Sequence, residues 1–166
     1  MKRTLRILCI AITSLLLIGS MAGCSIIDRF TEKPDTEVVF HDLKLSIPFA
    51  YIIDSTQSDT NFRVYEKGWY KSVILLSRNT VDDDIDELLD GYVEHILESG
   101  GSSQRTTFLD KLAVRSTFTS QDGKNAEEML FIHNGYCYAI SMRGGTEQEF
   151  QDLLSTVVLS DEAVAV

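Results

Sequence analysis

The sequence predicts an α+β domain in which helices pack on a largely antiparallel β-sheet. Two stretches place apolar residues at helical spacing, and between them lie four runs rich in branched and aromatic residues. Asp122-Gly123 and Asn134-Gly135 separate successive runs and are typical of tight hairpins, because both pairs tolerate positive φ angles. Hairpins join antiparallel neighbours, and a helix with one apolar face must bury it, so this pattern indicates helices covering an antiparallel sheet.

The first predicted strand opens the domain. Val38 to Phe40 is apolar, and Leu43 to Ile47 alternates apolar with polar residues until Pro48 ends the run. This alternation is typical of a strand with one buried face.

Two further strands are predicted before the long helix. Phe62 to Glu66 alternates again, and Lys67-Gly68 follows as a turn. Ser72 to Leu76 is apolar at both odd and even positions, which indicates a strand covered on both faces.

The clearest element is a helix from about Ile85 to Leu97. Its apolar stripe consists of Ile85, Leu88, Leu89, Tyr92, Val93, Ile96 and Leu97. Asp82 to Asp84 precede the helix, where carboxylates cap free amides, and Gly100-Gly101 ends it. Because Leu89 lies in the middle of the stripe, we expect it to pack against the strand Val73 to Leu76.

Four strands and a second helix complete the domain. The strands are Gln104 to Leu109, Leu112 to Ser120, Ala126 to His133 and Tyr136 to Met142. The helix spans about Glu147 to Thr156, and Thr146 and Glu149 have the spacing of a capping box at its start.

Composition limits the classes of function. The chain has 166 residues, 44% hydrophobic and 24% charged, which is typical of one globular domain rather than a disordered chain. Its formal net charge is -10, and without the first 23 residues, which hold three basic and no acidic side chains, it becomes -13. Nucleic-acid affinity depends on cationic side chains that displace counterions, so no nucleic-acid partner is expected.

The first 23 residues have the pattern of an export signal. Basic residues lead into the apolar run Ile7 to Ile18, and small residues follow it. This run is shorter than the roughly 20 apolar residues needed to span a bilayer, so a signal peptide is favoured over a transmembrane helix.

Met21-Ala22-Gly23-Cys24 resembles the lipobox of bacterial lipoproteins, with Met21 in place of the usual leucine. The resemblance implies that the chain is cut just before Cys24, that the Cys24 sulfur carries a diacylglycerol, and that the new amino group is often acylated. The lipid would hold the mature protein on the extracytoplasmic face of the cell membrane. The alternative is ordinary cleavage after Ala22, which would give a soluble secreted protein.

The expected organisation therefore has three parts. Residues 1–23 are the lipoprotein signal peptide, residues 24–37 a polar spacer, and residues 38–160 a single α+β domain. The spacer contains Pro34 and several charges but lacks the apolar spacing of a helix or strand.

The order of elements and several local sequences resemble a known fold group. Besides the long helix, the local sequences are Leu43 to Pro48, Trp69 to Ser77, Gly135 to Ile140 and the helix around Phe150. From about Phe40 to Leu159 the chain is similar to PsbP-like α/β/α sandwich proteins, which include the photosystem protein PsbP, a eukaryotic Ran-binding import factor and many bacterial lipoproteins. The resemblance implies a protein that binds other proteins and is not an enzyme.

No motif for catalysis, metal binding or a cofactor is present. An EF-hand loop from Asp82 would need glycine at its sixth position and glutamate at its twelfth, where Glu87 and Val93 stand. The three histidines lack ligand spacing, and no Gly-x-Ser-x-Gly elbow occurs. We therefore expect no cofactor, no metal site and no catalytic residue. Cys137 lies on a strand with small residues on the same face, so we expect a buried, unreactive thiol.

Tyr65, Trp69 and Tyr70 flank the predicted turn and form the candidate interaction patch. Aromatic side chains at such a turn are typical of protein interfaces, although they are also typical of the edge of a core. The leading hypothesis is a membrane-anchored, extracytoplasmic lipoprotein that acts as a non-enzymatic protein-interaction module for an unidentified protein partner. The alternatives are a lipoprotein that binds a small molecule or metal ion and, third, an unrecognised hydrolase.

Overall fold

Ten strands and two helices make up the described part of the chain. The computed structural model describes residues 35–48, 51–53, 58–66, 72–81 and 84–160. The helices are α1 (Ile85–Glu98) and α2 (Glu147–Ser155). The strands are β1 (Thr36–Phe40), β2 (Leu43–Ile47), β3 (Tyr51–Ile53), β4 (Asn61–Glu66), β5 (Val73–Thr80), β6 (Ser102–Phe108), β7 (Lys111–Thr119), β8 (Asn125–His133), β9 (Tyr136–Arg143) and β10 (Val158–Leu159).

β1, β2 and β10 form a small antiparallel sheet in the order β1-β2-β10. β1 and β2 make a hairpin with His41 in its turn at a φ of 55°, and β10 returns late in the chain to pair Val158 with Lys44. The predicted alternation of β2 is confirmed, since Leu43, Leu45 and Ile47 are each 1% exposed. The sequence predicts β1 and β2 as one strand and does not predict β10, whose two residues are too few to show a period.

The other seven strands form one antiparallel sheet in the order β3-β4-β5-β9-β8-β7-β6. The predicted meander from β6 to β9 is confirmed, and Asn134 and Gly135 turn β8 into β9 with φ angles of 49° and 77°. β5 pairs with β9 rather than with β6, so three strands lie between β5 and β6. This insertion decides which strands the first helix covers.

The two faces of the large sheet are covered differently. On one face, side chains such as Ile74, Tyr138 and Ile140 join the small sheet and α2 in the main hydrophobic core. On the opposite face, Val114 and Leu130 pack against α1 in a smaller cluster. The large sheet therefore has one helix on each face, as predicted for an α/β/α arrangement, and the small sheet shares the α2 face.

α1 begins at the N-cap Asp84. Its Oδ1 accepts hydrogen bonds from the backbone N–H groups of Asp86 at 2.9 Å and Glu87 at 3.4 Å, which satisfies amides that have no partner within the helix. Asp82 and Asp83, which were also expected to cap, lie outside the described residues.

The link from α1 to β6 is short and tightly packed. Gly100 adopts a φ of 80°, which favours glycine, and Gly101 leads directly into β6. A Cβ atom on Gly101 would lie only 2.7 Å from the carbonyl oxygen of Thr117 in β7. The link thus holds the end of α1 beside β6 and β7.

α2 begins with the predicted capping box. The Glu149 N–H donates to Thr146 Oγ1 at 3.2 Å, and the Thr146 N–H donates to Glu149 Oε2 at 2.7 Å. Phe150, Leu153 and Leu154 are buried in the main core. Within the described residues, neither helix has the length and apolar character needed to cross a membrane.

Leu89 is fully buried, as predicted, but against different strands. It packs on Val114 of β7 and Leu130 of β8, not on the segment Val73 to Leu76. The physical reason is that the short link keeps α1 at the β6 end of the sheet, while β7, β8 and β9 separate that end from β5.

The prediction that β5 is covered on both faces is therefore only partly correct. Ile74 and Leu76 are buried in the main core, as expected. Val73 and Leu75 point to the opposite face and are only partly buried. β5 thus exposes apolar side chains on the face that α1 leaves uncovered.

Candidate functional site

The candidate site is the part of the large sheet that α1 does not cover. The described residues of the α1 cluster come from β7, β8 and β9, and none comes from β3, β4 or β5. We call the uncovered region the open sheet face and define it by the side chains of Ile52, Arg63, Tyr65, Val73, Leu75 and Arg143, which share this face by strand alternation.

Strand register aligns the open sheet face in two rows. Ile52 pairs with Tyr65, Tyr65 with Val73, and Val73 with Arg143, so four strands contribute neighbouring side chains. Ile52 is 51% exposed, which is a large value for an isoleucine on a sheet. The row therefore begins with the aliphatic side chain of Ile52 in β3 and ends with the guanidinium of Arg143 in β9.

Tyr65 is the member of the predicted patch that the structure describes. It is partly buried in β4 and lies on the open sheet face. Trp69 and Tyr70 lie outside the described residues, so the patch as a whole stays a prediction. Strand pairing places Ile52 beside Tyr65, and Arg143 two strands away in the same row. Both residues are distant from Tyr65 in sequence, and no local pattern indicates this arrangement.

The second row begins with an arginine stacked near Tyr65. Arg63 Nη1 donates to the Tyr65 hydroxyl at 3.0 Å, and its guanidinium carbon lies 5.9 Å from the centre of the ring. Arg63 pairs with Leu75, which pairs in turn with Ser141. Two arginines thus lie on this face of a chain whose formal net charge is -10.

A cleft of about 370 Å³ lies beside these arginines and contains a partly buried carboxylate, Glu128. Glu128 accepts hydrogen bonds from the hydroxyls of Tyr92 in α1 and Ser141 in β9. Arg143 also lines this cleft, and its Nε is buried without a hydrogen-bond partner among the described residues.

Glu128 affects the protonation of its neighbours. Burial, and then the charge of Glu128, raises the pKa of the Tyr92 phenol far above its ordinary value, so Tyr92 remains a hydrogen-bond donor. The same two causes raise the pKa of the partly buried Cys137 thiol to about 11. A thiol with this pKa is almost entirely protonated near neutral pH and is a poor nucleophile, which agrees with the expected low reactivity, although Cys137 is partly buried rather than buried.

The side chains of His41 and His133 make structural contacts. The His41 ring contacts the carbonyl oxygen of Asp59 at 2.5 Å, and His133 Nε2 contacts the carbonyl oxygen of Ser160 at 3.3 Å. His95 is exposed on α1. Contacts of this kind hold backbone segments together and do not activate a hydroxyl group for attack.

A buried contact between His133 and Asp42 was missed by the sequence analysis. His133 Nε2 lies 4.0 Å from an Asp42 carboxylate oxygen, and Asn134 Nδ2 donates to the same oxygen at 3.3 Å. Asp42 is in the β1–β2 turn, so this contact joins the small sheet to the β8–β9 turn. The two residues are 91 positions apart, and no local pattern indicates their approach.

A second cleft, of about 560 Å³, lies between α2, β2 and β3 and is lined by the carboxylates of Asp35, Glu66, Glu149 and Asp152. The Tyr51 hydroxyl is 2.7 Å from Ser72 Oγ, which donates to Glu66 Oε2 at 2.8 Å. Burial, followed by the charges of Glu66 and Glu149, raises the pKa of Tyr51. We call this cleft the acidic cleft.

Three of the four carboxylates that line the acidic cleft already have partners within the protein. Glu66 accepts from Ser72, Glu149 belongs to the capping box, and Asp152 accepts from Gln148 Nε2 at 2.8 Å. Among the residues that the structure describes, no group of three or more acidic, histidine or cysteine side chains has the geometry to hold a metal ion. The acidic cleft is therefore a polar cavity without an assembled metal site in the described part.

The predicted lipidation site, Cys24, lies outside the described residues, as do the rest of the signal peptide and most of the spacer. Lipid attachment at Cys24 consequently stays a prediction from the sequence.

Comparison with known proteins identifies the fold but not a family. No protein-family model matches the sequence, and no curated protein matches it. Solved structures do match. One is a crystal structure from Bacteroides thetaiotaomicron VPI-5482, with a TM-score of 0.52, 12% identity, and coverage of 78% of this chain and 50% of that chain. This chain thus spans half the length of the Bacteroides protein.

Another similar structure is the solution structure of cyanobacterial PsbP (CyanoP) from Synechocystis sp. PCC 6803. The TM-score is 0.52 at 5% identity, and the match covers 71% of this chain and 86% of that chain. Such a low identity carries information about architecture alone. The strand order, the helix on each face and this similarity together identify the chain as an α+β protein with a PsbP-like fold.

Proposed function

We propose that this protein is a membrane-anchored extracytoplasmic lipoprotein that acts as a non-enzymatic protein-interaction module. The single observation that carries the proposal is the open sheet face, where Ile52 and Arg63 are exposed beside the partly buried side chains of Tyr65, Val73, Leu75 and Arg143. The PsbP-like fold fits a module without catalytic activity, and the lipobox-like sequence ending at Cys24 supports the anchor.

The composition of the open sheet face supports a protein partner. Arginine and tyrosine are enriched where proteins bind each other, and Ile52 and Val73 add apolar area next to them. Arg63 and Arg143 favour a partner with carboxylates at matching positions, because opposite charges guide association and orient the complex. We therefore expect an acidic protein surface with an apolar centre.

The acidic cleft favours the second candidate function, binding of a small molecule or cation. Its volume of about 560 Å³ is large enough for a small ligand. Three of its carboxylates are already engaged with protein groups, which weakens this alternative. Hydrolysis ranks third, because the contacts of the histidines favour structural roles.

Site-specific photo-crosslinking in intact cells tests the proposed interaction. We would place a photoreactive amino acid at Ile52, on the open sheet face, and at Val158, on the small sheet, as the matched control. The two side chains are similarly exposed, at 51% and 57%. We expect one crosslinked protein from position 52 and none of the same mass from position 158.

A second variant tests the role of charge. Arg63→Glu reverses an exposed charge on the open sheet face, and we expect it to lower crosslinking from position 52 severalfold. Equal crosslinking from positions 52 and 158, or no effect of the charge reversal, would contradict binding through this face.

The anchor is tested separately with Cys24→Ala. We expect metabolic labelling with a fatty acid to mark the wild-type protein and not the variant, and the variant to leave the membrane fraction or accumulate as precursor. An unlabelled wild-type protein would contradict lipid attachment.

A further inference from the structure

β6 is an edge strand of the large sheet that has few of the usual protections of a sheet edge, with Arg105 as its one charged residue. Exposed edges are commonly shortened, interrupted by a bulge, or supplied with proline or lysine, which prevents pairing with other chains. The opposite edge, β3, has three residues, whereas β6 has seven. β6 contains neither proline nor lysine, and its register with β7 runs without a bulge from Ser102 to Phe108.

The outer side of β6 offers regularly spaced hydrogen-bonding groups. Leu109 and Asp110 form a two-residue turn, so Phe108 and Lys111 exchange backbone hydrogen bonds across the hairpin. Hydrogen-bonded pairs alternate along an antiparallel ladder, which directs the N–H and C=O groups of residues 103, 105 and 107 away from β7. In the described part of the sheet, no strand pairs with this outer side.

An acidic flank of α1 borders this edge on one face. Arg105 of β6 donates to Asp86 at 2.5 Å and to Asp90 at 2.7 Å. Two carboxylates thus share one guanidinium, and the exposed Glu94 follows one turn later on α1. If another strand paired with the outer side of β6, its side chains on this face would lie next to an excess of negative charge.

The other face of the edge borders a cleft of about 380 Å³ with a mixed lining, in which polar residues such as Gln104 and Gln151 lie beside apolar ones. Phe108, Met129 and Leu154 supply apolar surface there, between β6 and α2. Arg115 also lines this cleft but is paired with Glu127 at 3.1 Å. Side chains of an added strand that point to this face would therefore contact apolar groups.

We propose that β6 is a docking edge at which an extended segment of a partner protein, alternating basic with apolar residues, adds as an eighth strand to the large sheet. Alternation follows from the strand period of two, which sends successive side chains to the acidic flank and to the apolar side chains of Phe108, Met129 and Leu154 in the cleft. Main-chain hydrogen bonds supply affinity in this binding mode, and the two flanking environments supply specificity. This inference is independent of the open sheet face, which lies at the opposite end of the sheet.

A second copy of this chain is the less favoured occupant. Pairing two β6 strands antiparallel in one continuous sheet would place both α1 helices on the same face, next to each other. The acidic flanks of the two helices would then repel, whereas a basic segment would be attracted.

The test uses the full chain in a non-ionic detergent and a short synthetic peptide that alternates lysine with valine, blocked at both ends. We expect saturable binding by fluorescence anisotropy, and slower hydrogen exchange at the amides of Arg105 and Thr107. The same peptide with glutamate in place of lysine should bind at least about tenfold more weakly, because its charges face the acidic flank.

Two variants at one position isolate the backbone contribution. Thr107→Pro removes an N–H that points away from β7 and leaves the hydrogen bonds to β7 in place. We therefore expect it to weaken peptide binding about tenfold. Thr107→Ala keeps the N–H and should bind as the wild type does. The double variant Asp86→Asn and Asp90→Asn leaves the backbone of β6 unchanged. It should reduce the preference for the lysine peptide over the glutamate peptide, and this result stays informative even where proline disturbs β6.

Several results would overturn the inference. These are no binding of the lysine peptide, equal binding of both peptides, and protection of amides at another strand instead of β6. Concentration-dependent protection of β6 without peptide would assign the edge to a second copy of the chain and would also overturn it.

Discussion

Leu89 shows how burial and packing partner are decided separately. Its position in the apolar stripe of α1 requires it to be buried, and it is fully inaccessible to solvent. Which strands receive it depends on where the chain returns to the sheet after α1. Val114 and Leu130, its partners, lie on strands that follow α1 in the sequence.

At the residue scale we predict that Leu89→Ala destabilises the fold by roughly 2 to 5 kcal/mol, because it removes buried methyl groups and leaves a cavity. Glu87→Ala is the matched control on the same helix. Glu87 is exposed, so the free energy of unfolding of the Glu87→Ala variant should differ from that of the wild type by about 0.5 kcal/mol or less. Urea unfolding of the two variants measures the difference, and equal midpoints would show that the stripe is not buried.

The two tight hairpins of the meander differ in how well their residues suit the turn. Asn134 and Leu109 both occupy the first turn position with a φ of 49°. Asparagine tolerates this left-handed conformation, whereas leucine is disfavoured there by roughly 1 to 2 kcal/mol. Leu109 is also 43% exposed, so little burial offsets the strain.

At the element scale we predict that exchanging these residue types changes stability in opposite directions. Leu109→Asn should stabilise the protein by about 1 kcal/mol, because it relieves the backbone conformation of the β6–β7 turn. Asn134→Leu should destabilise it by at least about 1 kcal/mol, since it introduces the same strain and removes the hydrogen bond to Asp42. Thermal and urea unfolding compare the variants, and changes of the same sign would contradict this account.

The long helices and strands were predictable from the sequence, and the shortest strands were not. α1, α2 and the four strands of the meander occur close to their predicted positions, because each carries a full period of apolar residues or a strong cap. β3 and β10 have three and two residues and were missed. Such strands exist because a neighbouring strand supplies hydrogen bonds, which is a property of the folded sheet.

At the scale of the whole molecule, the described carboxylates at the start of α1 already have partners within the protein. Asp84 caps α1, and Asp86 and Asp90 bind Arg105. Calcium needs six or more oxygen ligands converging on one point, which carboxylates engaged elsewhere do not supply.

We therefore predict that millimolar calcium changes the melting temperature by no more than about 1 °C, because only binding to the native state would raise it. Magnesium serves as the control for a general effect of divalent charge. A calcium-specific rise of several degrees would favour the second candidate function. Asp152→Asn and Asp86→Asn would then distinguish the acidic cleft from the start of α1.

The candidate site shows a similar limit of prediction. Tyr65 was singled out from the sequence, and the structure places it on the open sheet face. Strand pairing places Ile52 and Val73 directly beside Tyr65, and Arg143 on the far side of Val73. The cavity environment of Glu128 likewise depends on Tyr92 and Ser141, which come from different elements.

The sequence by itself determined the α+β class, both helices with their caps, the meander and the expectation of a lipid anchor at Cys24. These follow from local chemistry: apolar period, capping groups, turn residues and a short targeting motif. The tertiary structure alone decided that β9 inserts beside β5, that α1 covers β7 and β8, and that, among the described residues, β3, β4 and β5 contribute nothing to the α1 cluster. Strand order is set by which pairing buries the most apolar area across distant segments, and no single segment contains that information.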